Sequence, residues 1–281
     1  MVAITQQTML DEIRRQQQLA RSIASDQAAI SSGKKQLTPS QDPQTWVQVS
    51  ELARAQAQQA AWSSNVDYAQ TRAGKAESSL TELSNLMTRA RELTITASTA
   101  ALDAPGKAAV VTELQGIRAS MGELLNEKDY QGLPVFDDGA AVSIPVSRGT
   151  NVEAVGTRQS ISEGISVNGN SMSLDDILAS AISAIQSGDS TDTENALTGL
   201  KVGGDHIVLQ QSTQGVRSNR LEAAGDRLTT VDLDLNERRG QLEDTDPTET
   251  ITRLQNKLLT LEAAQAAFAR INKQSLFDLI G

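Results

Sequence analysis

The residues nearest to a metal-binding pattern are Asp232, Asp234, Asn236 and Glu243. Their spacing matches oxygen ligands 1, 3, 5 and 12 of a calcium-binding loop of the EF-hand type. The sixth position of such a loop must be glycine to allow a sharp turn, and here it is Glu237. Apolar residues also continue at helical spacing through the same segment. The pattern therefore favours a solvated helix face over a calcium site.

The other candidates for chemistry are weaker still. His206 is the only histidine, and the chain has no cysteine with which to complete a zinc site. Asp205 precedes it, but adjacent residues on a helix point in different directions. Gly203-Gly204 lacks the flanking residues of a phosphate-binding loop. We expect no metal, no cofactor and no catalytic residues, so that the protein is not an enzyme.

Composition indicates what kind of core the chain can build. Apolar residues make up 38% of it but aromatic residues only 2%, which suits slim helix pairs packed through Ala, Leu, Val and Ile. No stretch approaches the roughly 18 consecutive apolar residues of a membrane span. The first residues are polar and unlike a secretory signal. We therefore expect no membrane insertion, and either a cytosolic protein or export without a cleaved signal.

The net charge of −10 is unevenly distributed. Residues 1–40 contain five basic and three acidic groups, and residues 251–281 contain four and two, so the middle carries −14. An acidic middle argues against nucleic acid as a partner. Two less acidic ends suggest that the ends pack in a crowded environment whereas the middle faces water.

Helical periodicity is strongest between Leu52 and Ala97. Asp42-Pro43 supplies an N-cap and a first helical residue for this long helix, and Asp103-Ala104-Pro105-Gly106 ends it. A second helix follows, with apolar residues on one face. The positions of the long seam, which step by three and four, are Leu52, Ala55, Gln59, Trp62, Val66, Ala69, Ala73, Ala76, Leu80, Leu83, Met87, Ala90, Thr94 and Ala97.

The second half reads as strands followed by helices. Val142–Val146 and Ile165–Val167 alternate as short strands do, and Asn168-Gly169 indicates a hairpin turn. Helices are predicted for Leu174–Gln186 and from about Thr193 to Leu242. Asp246-Pro247, with Glu249 three residues after the cap, resembles a capping box that opens the last helix.

Both ends carry helical stripes that need a partner, since lone helices are marginal in water. The economical arrangement pairs the first arm with the last and one long helix with the other. The predicted fold is mainly α: an elongated rod of long paired helices and coiled-coil terminal arms with a small β-rich inserted domain. The predicted domains are the arms (1–41 with 246–281), the long-helix bundle (42–135 with 174–245) and the insertion (136–173).

Six short motifs, which follow one another along the chain, together resemble those of a known protein family. They are Ile30-Ser31-Ser32-Gly33-Lys34, Pro39-Ser40-Gln41-Asp42-Pro43, Leu114-Gln115-Gly116-Ile117-Arg118, Gln186-Ser187-Gly188-Asp189, Gly215-Val216-Arg217-Ser218-Asn219-Arg220-Leu221 and Ser275-Leu276-Phe277-Asp278-Leu279-Ile280. With these motifs the sequence resembles the flagellin superfamily, and within it the subunits of the hook–filament junction. The likeness covers residues 1–135 and about 174–281. Gln41 departs from the family, which usually has aspartate there, and residues 130–136 are closer to the turn of a filament flagellin.

The resemblance implies a structural subunit of the bacterial flagellum that joins hook to filament. The resemblance also implies secretion through the flagellar channel without a cleaved signal. The implied partners are flagellin, the neighbouring hook-associated junction protein, copies of itself, the flagellar export apparatus and an export chaperone. Two alternatives stay open: a flagellin or minor flagellin that forms the filament itself, and, in another class, a cytosolic coiled-coil scaffold.

The residues expected to carry subunit packing lie mainly in the arms. A membrane-surface role for these stripes is disfavoured, because their polar faces hold glutamine more than lysine. Trp46 is added because an aromatic side chain can anchor a subunit contact, whereas Trp62 lies on the seam and is expected in the core. The predicted packing residues are Ile13, Ile23, Ile30, Trp46, Leu254, Leu258, Leu261 and Phe268.

Overall fold

The computed structural model describes residues 2–35, 39–40, 42–99, 102–129 and 131–280, and it describes only the backbone of 2–6, 8 and 271–280. Expectations for Gln41 and Tyr130, and for the side chains of the closing motif, lie outside the described residues. The helices are α1 (Val2–Ser32), α2 (Pro43–Thr99), α3 (Ala104–Leu125), α4 (Arg158–Ser162), α5 (Leu174–Ser187), α6 (Ser190–Glu243) and α7 (Pro247–Ile280). The strands are β1 (Ser143–Ser147), β2 (Thr150–Glu153), β3 (Ile165–Val167) and β4 (Asn170–Met172). The mainly α prediction is confirmed.

Both predicted Asp-Pro helix starts are confirmed. Asp42 Oδ1 accepts a hydrogen bond of 3.0 Å from Thr45 N, and hydrogen bonds from Thr45 hold the pKa of Asp42 below its usual range. Asp246 Oδ1 accepts from Thr248 N at 2.8 Å and from Glu249 N at 3.2 Å. The Glu249 carboxylate does not complete the capping box that the sequence suggested. It lies 3.3 Å from the Arg253 guanidinium instead, one turn further along α7.

The chain forms two compact units. The terminal unit comprises Met1–Ala57 with Asp232–Gly281, and the central unit comprises Gln58–Val231. α2 and α6 contribute residues to both. The division into three domains that the sequence suggested stays a prediction.

In the central unit, α2 and α6 run antiparallel. Gln59 Nε2 donates to Leu228 O at 2.8 Å, and further along Ser218 Oγ donates to the carboxylate of Glu77. The predicted seam of α2 is buried from Val66 to Ala97. Gln59, one of its two polar members, is also buried, and its hydrogen bond to α6 explains why a polar residue is tolerated there. Trp62 is only half-buried and packs at the edge of the core.

The central unit also holds the strands that the sequence predicted. β1 pairs antiparallel with β2, and β3 with β4. Asn168 and Gly169 both have positive φ, 50° and 82°, so they form the tight two-residue turn typical of Asn-Gly hairpins. The inward residues Ile144, Val146, Ile165 and Val167 join the core formed by α2, α3, α5 and α6.

In the terminal unit, α1 packs against α7, as the arm-pairing prediction required. Backbone hydrogen bonds join the segment that follows α1 to the segment between α6 and α7. Lys35 N donates to Glu243 O at 2.6 Å, and Thr245 N donates to Gly33 O at 3.0 Å. Gly33 has a φ of 71°, a left-handed conformation that glycine adopts without strain, and this ends α1 where the pairing begins.

Candidate assembly surfaces

A buried carboxylate joins the two arms. Asp26 of α1 is 7% exposed, and its Oδ2 lies 2.7 Å from Lys257 Nζ of α7. Its Oδ1 lies 3.4 Å from Arg253 Nε, one turn earlier on α7. Lys257 Nζ also donates to Ser22 Oγ at 2.5 Å. Because these side chains are spaced one turn apart on each helix, the cluster fixes the axial position of α1 against α7.

A second charged cluster lies where the segment after α1 meets the end of α6. Glu243 at the end of α6 is 9% exposed and accepts from Arg239 Nε at 3.0 Å and from Lys34 Nζ at 3.2 Å. Arg239 also donates to Gln56 Oε1 of α2 at 2.9 Å. The cluster therefore ties the segment after α1, the start of α2 and the end of α6 to one carboxylate.

The predicted packing residues divide into two groups. Ile23 is buried, and four members are half-buried; these are Ile30, Leu254, Leu261 and Phe268. Ile13, Leu258 and Trp46 are instead exposed, by 40%, 39% and 41%. The stripe that the sequence predicted on α7 is thus not one contact surface. Leu254, Leu261 and Phe268 are half-buried, whereas Leu258 between them is exposed.

Sequence reasoning missed the polar members of the arm contact. Asp26 lies at i+3 from Ile23 and i−4 from Ile30, so an acid sits within an apolar stripe. Arg253 and Lys257 flank Leu254 at i−1 and i+3 on the partner helix. The sequence did contain a signal for this contact: an acidic residue within the apolar stripe of α1 and a basic residue within that of α7.

Among the side chains that the structure describes, the most deeply buried ion pair lies in the central unit. Arg72 Nη2 of α2 lies 2.8 Å from Asp137 Oδ1 and donates to Pro134 O at 3.0 Å. The other carboxylate oxygen, Asp137 Oδ2, accepts from Val142 N at 2.7 Å. The side chains of Arg72 and Asp137 are 7% and 3% exposed. The pair therefore fastens the segment that leads into β1 onto the long helix α2.

A groove of about 840 Å³ opens between the β3–β4 hairpin, α5 and the first turns of α6. Asn168 and Asn195 bond to each other on its rim, with Asn168 Nδ2 3.2 Å from Asn195 Oδ1. Asp176 and Asp192 on its lining each accept a hydrogen bond from a serine hydroxyl. Each of these four polar groups has a hydrogen-bond partner within the protein.

The residues that the sequence offered as catalytic or metal-binding candidates have ordinary structural surroundings. His206 Nε2 lies 3.1 Å from Ser160 O, while Asp205 pairs with Lys201. Asp232 to Glu243 continue as helix α6. Among the described residues no cluster of His, Asp and Glu could hold a metal ion. No described helix has both the length and the apolar character needed to cross a membrane.

Comparison with known proteins accounts for both ends of the chain. The bacterial flagellin N-terminal helical region matches residues 3–141, and the bacterial flagellin C-terminal helical region matches residues 205–280. The chain belongs to the flagellin superfamily. Family membership explains why the two matched regions are separated in sequence, because the arms that pair with each other come from opposite ends.

Within the superfamily, the similar curated proteins are hook-associated proteins. The chain is 25% identical to flagellar hook-associated protein 3 of Escherichia coli, over 89% of this chain and 90% of that protein. It is 29% identical to flagellar hook-associated protein 3 of Salmonella typhimurium, over 43% of this chain and 38% of that protein. The recognition of a flagellin-superfamily sequence of the hook-associated protein 3 type is confirmed, and the protein is a structural component of the flagellum.

Solved structures share the fold. A flagellar hook-associated protein from Vibrio parahaemolyticus superposes with a TM-score of 0.65 at 16% identity, over 73% of this chain and all of that chain. The flagellar junction protein FlgL from Legionella pneumophila gives a TM-score of 0.58 at 14% identity, over 70% and 100%. At these identities the likeness concerns the fold.

Proposed function

We propose that this chain is a structural subunit that joins the flagellar hook to the filament. The observation that carries the proposal is the similarity to hook-associated protein 3 along nearly the whole of both chains. The paired arms and the helical central unit fit a protein that works by packing against neighbours rather than by catalysis. We accordingly assign it no enzymatic activity.

The specific partners belong to the same proposal. They are flagellin on one side, the neighbouring hook-associated junction protein on the other, and copies of this chain around the axis. Secretion through the flagellar channel requires the export apparatus, and an export chaperone is the further proposed partner.

The arms are the proposed assembly elements. The exposed apolar residues Leu10 and Ile13 on α1 and Ile251 and Leu258 on α7 support this role, because large apolar side chains in water favour association. Trp46 is the proposed anchor outside the arms, since it is a large aromatic side chain left exposed on α2.

Deletion of the gene in the source bacterium tests the function. We expect cells that make hooks but no attached filaments, with flagellin released into the medium, and immunogold labelling of the restored protein at the hook–filament boundary. A chain that lacks residues 251–281 should fail to restore filaments. Attached filaments in the deletion strain would contradict the proposal.

The same experiment distinguishes the alternatives. A flagellin would label the whole filament, and the purified protein would polymerise alone into long filaments. A cytosolic scaffold would remain in the cytoplasm of cells with intact flagella. The curated relatives do not favour either alternative.

A further inference from the structure

We propose that residues 33–35 and 243–245 form a clasp that is closed in the free chain and from which the pairing of α1 with α7 extends. The clasp lies immediately after α1 and immediately before α7, and it includes the last residue of α6. The inference goes beyond the proposed function, because it concerns how one chain brings its own two arms together before it meets any partner.

The backbone of the clasp has the geometry of a short antiparallel ladder. Lys34 lies opposite Asp244 in an antiparallel bridge. Two backbone hydrogen bonds of 2.6 and 3.0 Å join the neighbouring residues on either side of this pair. Lys34 and Asp244 therefore form a non-hydrogen-bonded pair, the type in which opposite Cα atoms approach most closely, to about 4.5 Å. The bridge fixes one register between two segments from opposite ends of the chain.

A buried carboxylate attaches the clasp to the long helices. Glu243 is 9% exposed and lies 3.2 Å from Lys34 Nζ and 3.0 Å from Arg239 Nε. Arg239 also donates to Gln56 of α2, and Gln56 Nε2 donates to Asn236 Oδ1 of α6 at 2.7 Å. The clasp is thus continuous with the contact between α2 and α6 in the terminal unit.

Contacts between α1 and α7 weaken with distance from the clasp. The buried side chains of α1 all lie in its last third; they are Ile23, Asp26 and Ala29. The polar contacts that the structure describes between the two helices occupy the same stretch, from Asp26 with Arg253 to Ser22 with Lys257. Of the side chains described in residues 9–21 and 258–270, none is buried. The part of the arms next to the clasp is therefore the most firmly paired.

Chain connectivity gives the pairing a direction. The entropic cost of bringing two points of a flexible chain together rises with the length of chain between them and the nearest existing contact. With α2 and α6 joined at Gln56, only the short segment before Pro43 must be ordered to close the clasp. Joining the outer ends of α1 and α7 first would leave both whole helices as open loop. Pairing that begins at the clasp and extends outward avoids this cost.

The absence of cysteine makes a direct test possible. Lys34→Cys with Asp244→Cys places two thiols on a pair whose Cα spacing of about 4.5 Å lies within the disulfide range. We expect the purified full chain to form an intramolecular disulfide, seen as loss of both free thiols and faster migration on a non-reducing gel. Lys35→Cys with Asp244→Cys is the matched control and should retain its thiols, because adjacent residues of an extended segment point to opposite faces.

A glycine pair separates the clasp from mere proximity of the two segments. Gly33 has a φ of 71°, and a Cβ there would meet no atom within 4 Å, so Gly33→Ala strains only the backbone. Added to the 34–244 double variant, it should slow disulfide formation. Gly149→Ala, at a φ of 75° and with equally open surroundings, is the matched control and should leave the rate unchanged.

Hydrogen exchange of the 34–244 double variant, oxidised and reduced, tests the direction of pairing. Oxidation should slow exchange most in residues 22–32 and 247–257 and least in residues 9–21 and 258–270. Equal oxidation of the 34–244 and 35–244 pairs, or no disulfide in either, would overturn the closed clasp. Slowing that is uniform, absent or greatest at the outer ends would overturn outward pairing. Because these measurements use the purified chain, such results would leave the proposed junction function intact.

Discussion

Lys257 of α7 reaches across to α1, where its ammonium nitrogen lies 2.7 Å from the carboxylate of Asp26. Asp26 is almost fully buried, whereas Lys257 is about three-quarters buried and Arg253 is more exposed. The carboxylate thus sits in the helix contact while its two cations remain in touch with water. The cluster therefore helps to hold the arms in register.

Replacing Asp26 with asparagine should loosen the arms without unfolding the central unit. The change removes a charge-assisted contact and leaves two cations beside a neutral amide. We expect a loss of about 1–3 kcal/mol from the pairing of α1 with α7. Hydrogen exchange of the α1 and α7 amides in the full chain would measure it. Asp11→Asn, which removes only an exposed ion pair with Arg14, is the control and should leave exchange unchanged.

Breaking the Arg72–Asp137 pair in the central unit should cause a larger loss of stability. Arg72→Met leaves the Asp137 carboxylate buried without its cation, which should lower the free energy of unfolding by about 3–5 kcal/mol. Arg72→Met with Asp137→Asn should be less damaging than the sum of the single changes. A double-mutant cycle from urea unfolding would measure the coupling. Arg118→Gln, which removes an exposed pair with Asp175, should cost no more than about 1 kcal/mol.

Gly203 and Gly204 are adjacent on α6 but should respond oppositely to alanine. A Cβ at Gly204 would meet no atom within 4 Å, so Gly204→Ala should stabilise the helix by about 0.5–1 kcal/mol. A Cβ at Gly203 would lie 2.7 Å from Met87 Cε and 3.2 Å from Ile177 Cδ1. Overpacking there should offset the helical gain and leave Gly203→Ala less stable than Gly204→Ala by about 1 kcal/mol or more. Equal thermal midpoints for the two variants would contradict this packing.

The start of α5 should be sensitive to acid. Ser173 N donates to the Asp176 carboxylate at 3.0 Å, and this bond, with that of the Ser173 hydroxyl, holds the pKa of Asp176 below its usual range. A lowered folded-state pKa adds stability above the unfolded value of about 3.9, and this stability is lost as the pH falls through the folded value. Asp176→Asn should therefore be less stable than wild type at pH 7, and the difference should shrink below about pH 4. Thermal unfolding of both proteins from pH 7 to pH 2 would test this, and a constant difference would contradict it.

The sequence by itself determined where the main elements begin and end. Asp42-Pro43 and Asp246-Pro247 start α2 and α7 because a carboxylate and a following proline favour the first helical turn locally. The Asn168-Gly169 turn is also determined locally, because asparagine and glycine tolerate the positive φ that a two-residue hairpin turn requires. Repeated apolar spacing also identified the seam of α2, and ordered motifs identified the family.

Only the tertiary structure decided which residues meet across long stretches of chain. Arg72 and Asp137 are 65 residues apart, and Asp26 and Lys257 are 231 apart. Local propensity carries no information on such pairs. The same limit applies to the stripe of α7, where spacing grouped Leu254 with Leu258 although Leu254 is half-buried and Leu258 is exposed. A stripe specifies that a helix needs a partner, but the position of the partner helix decides which part of the stripe is buried.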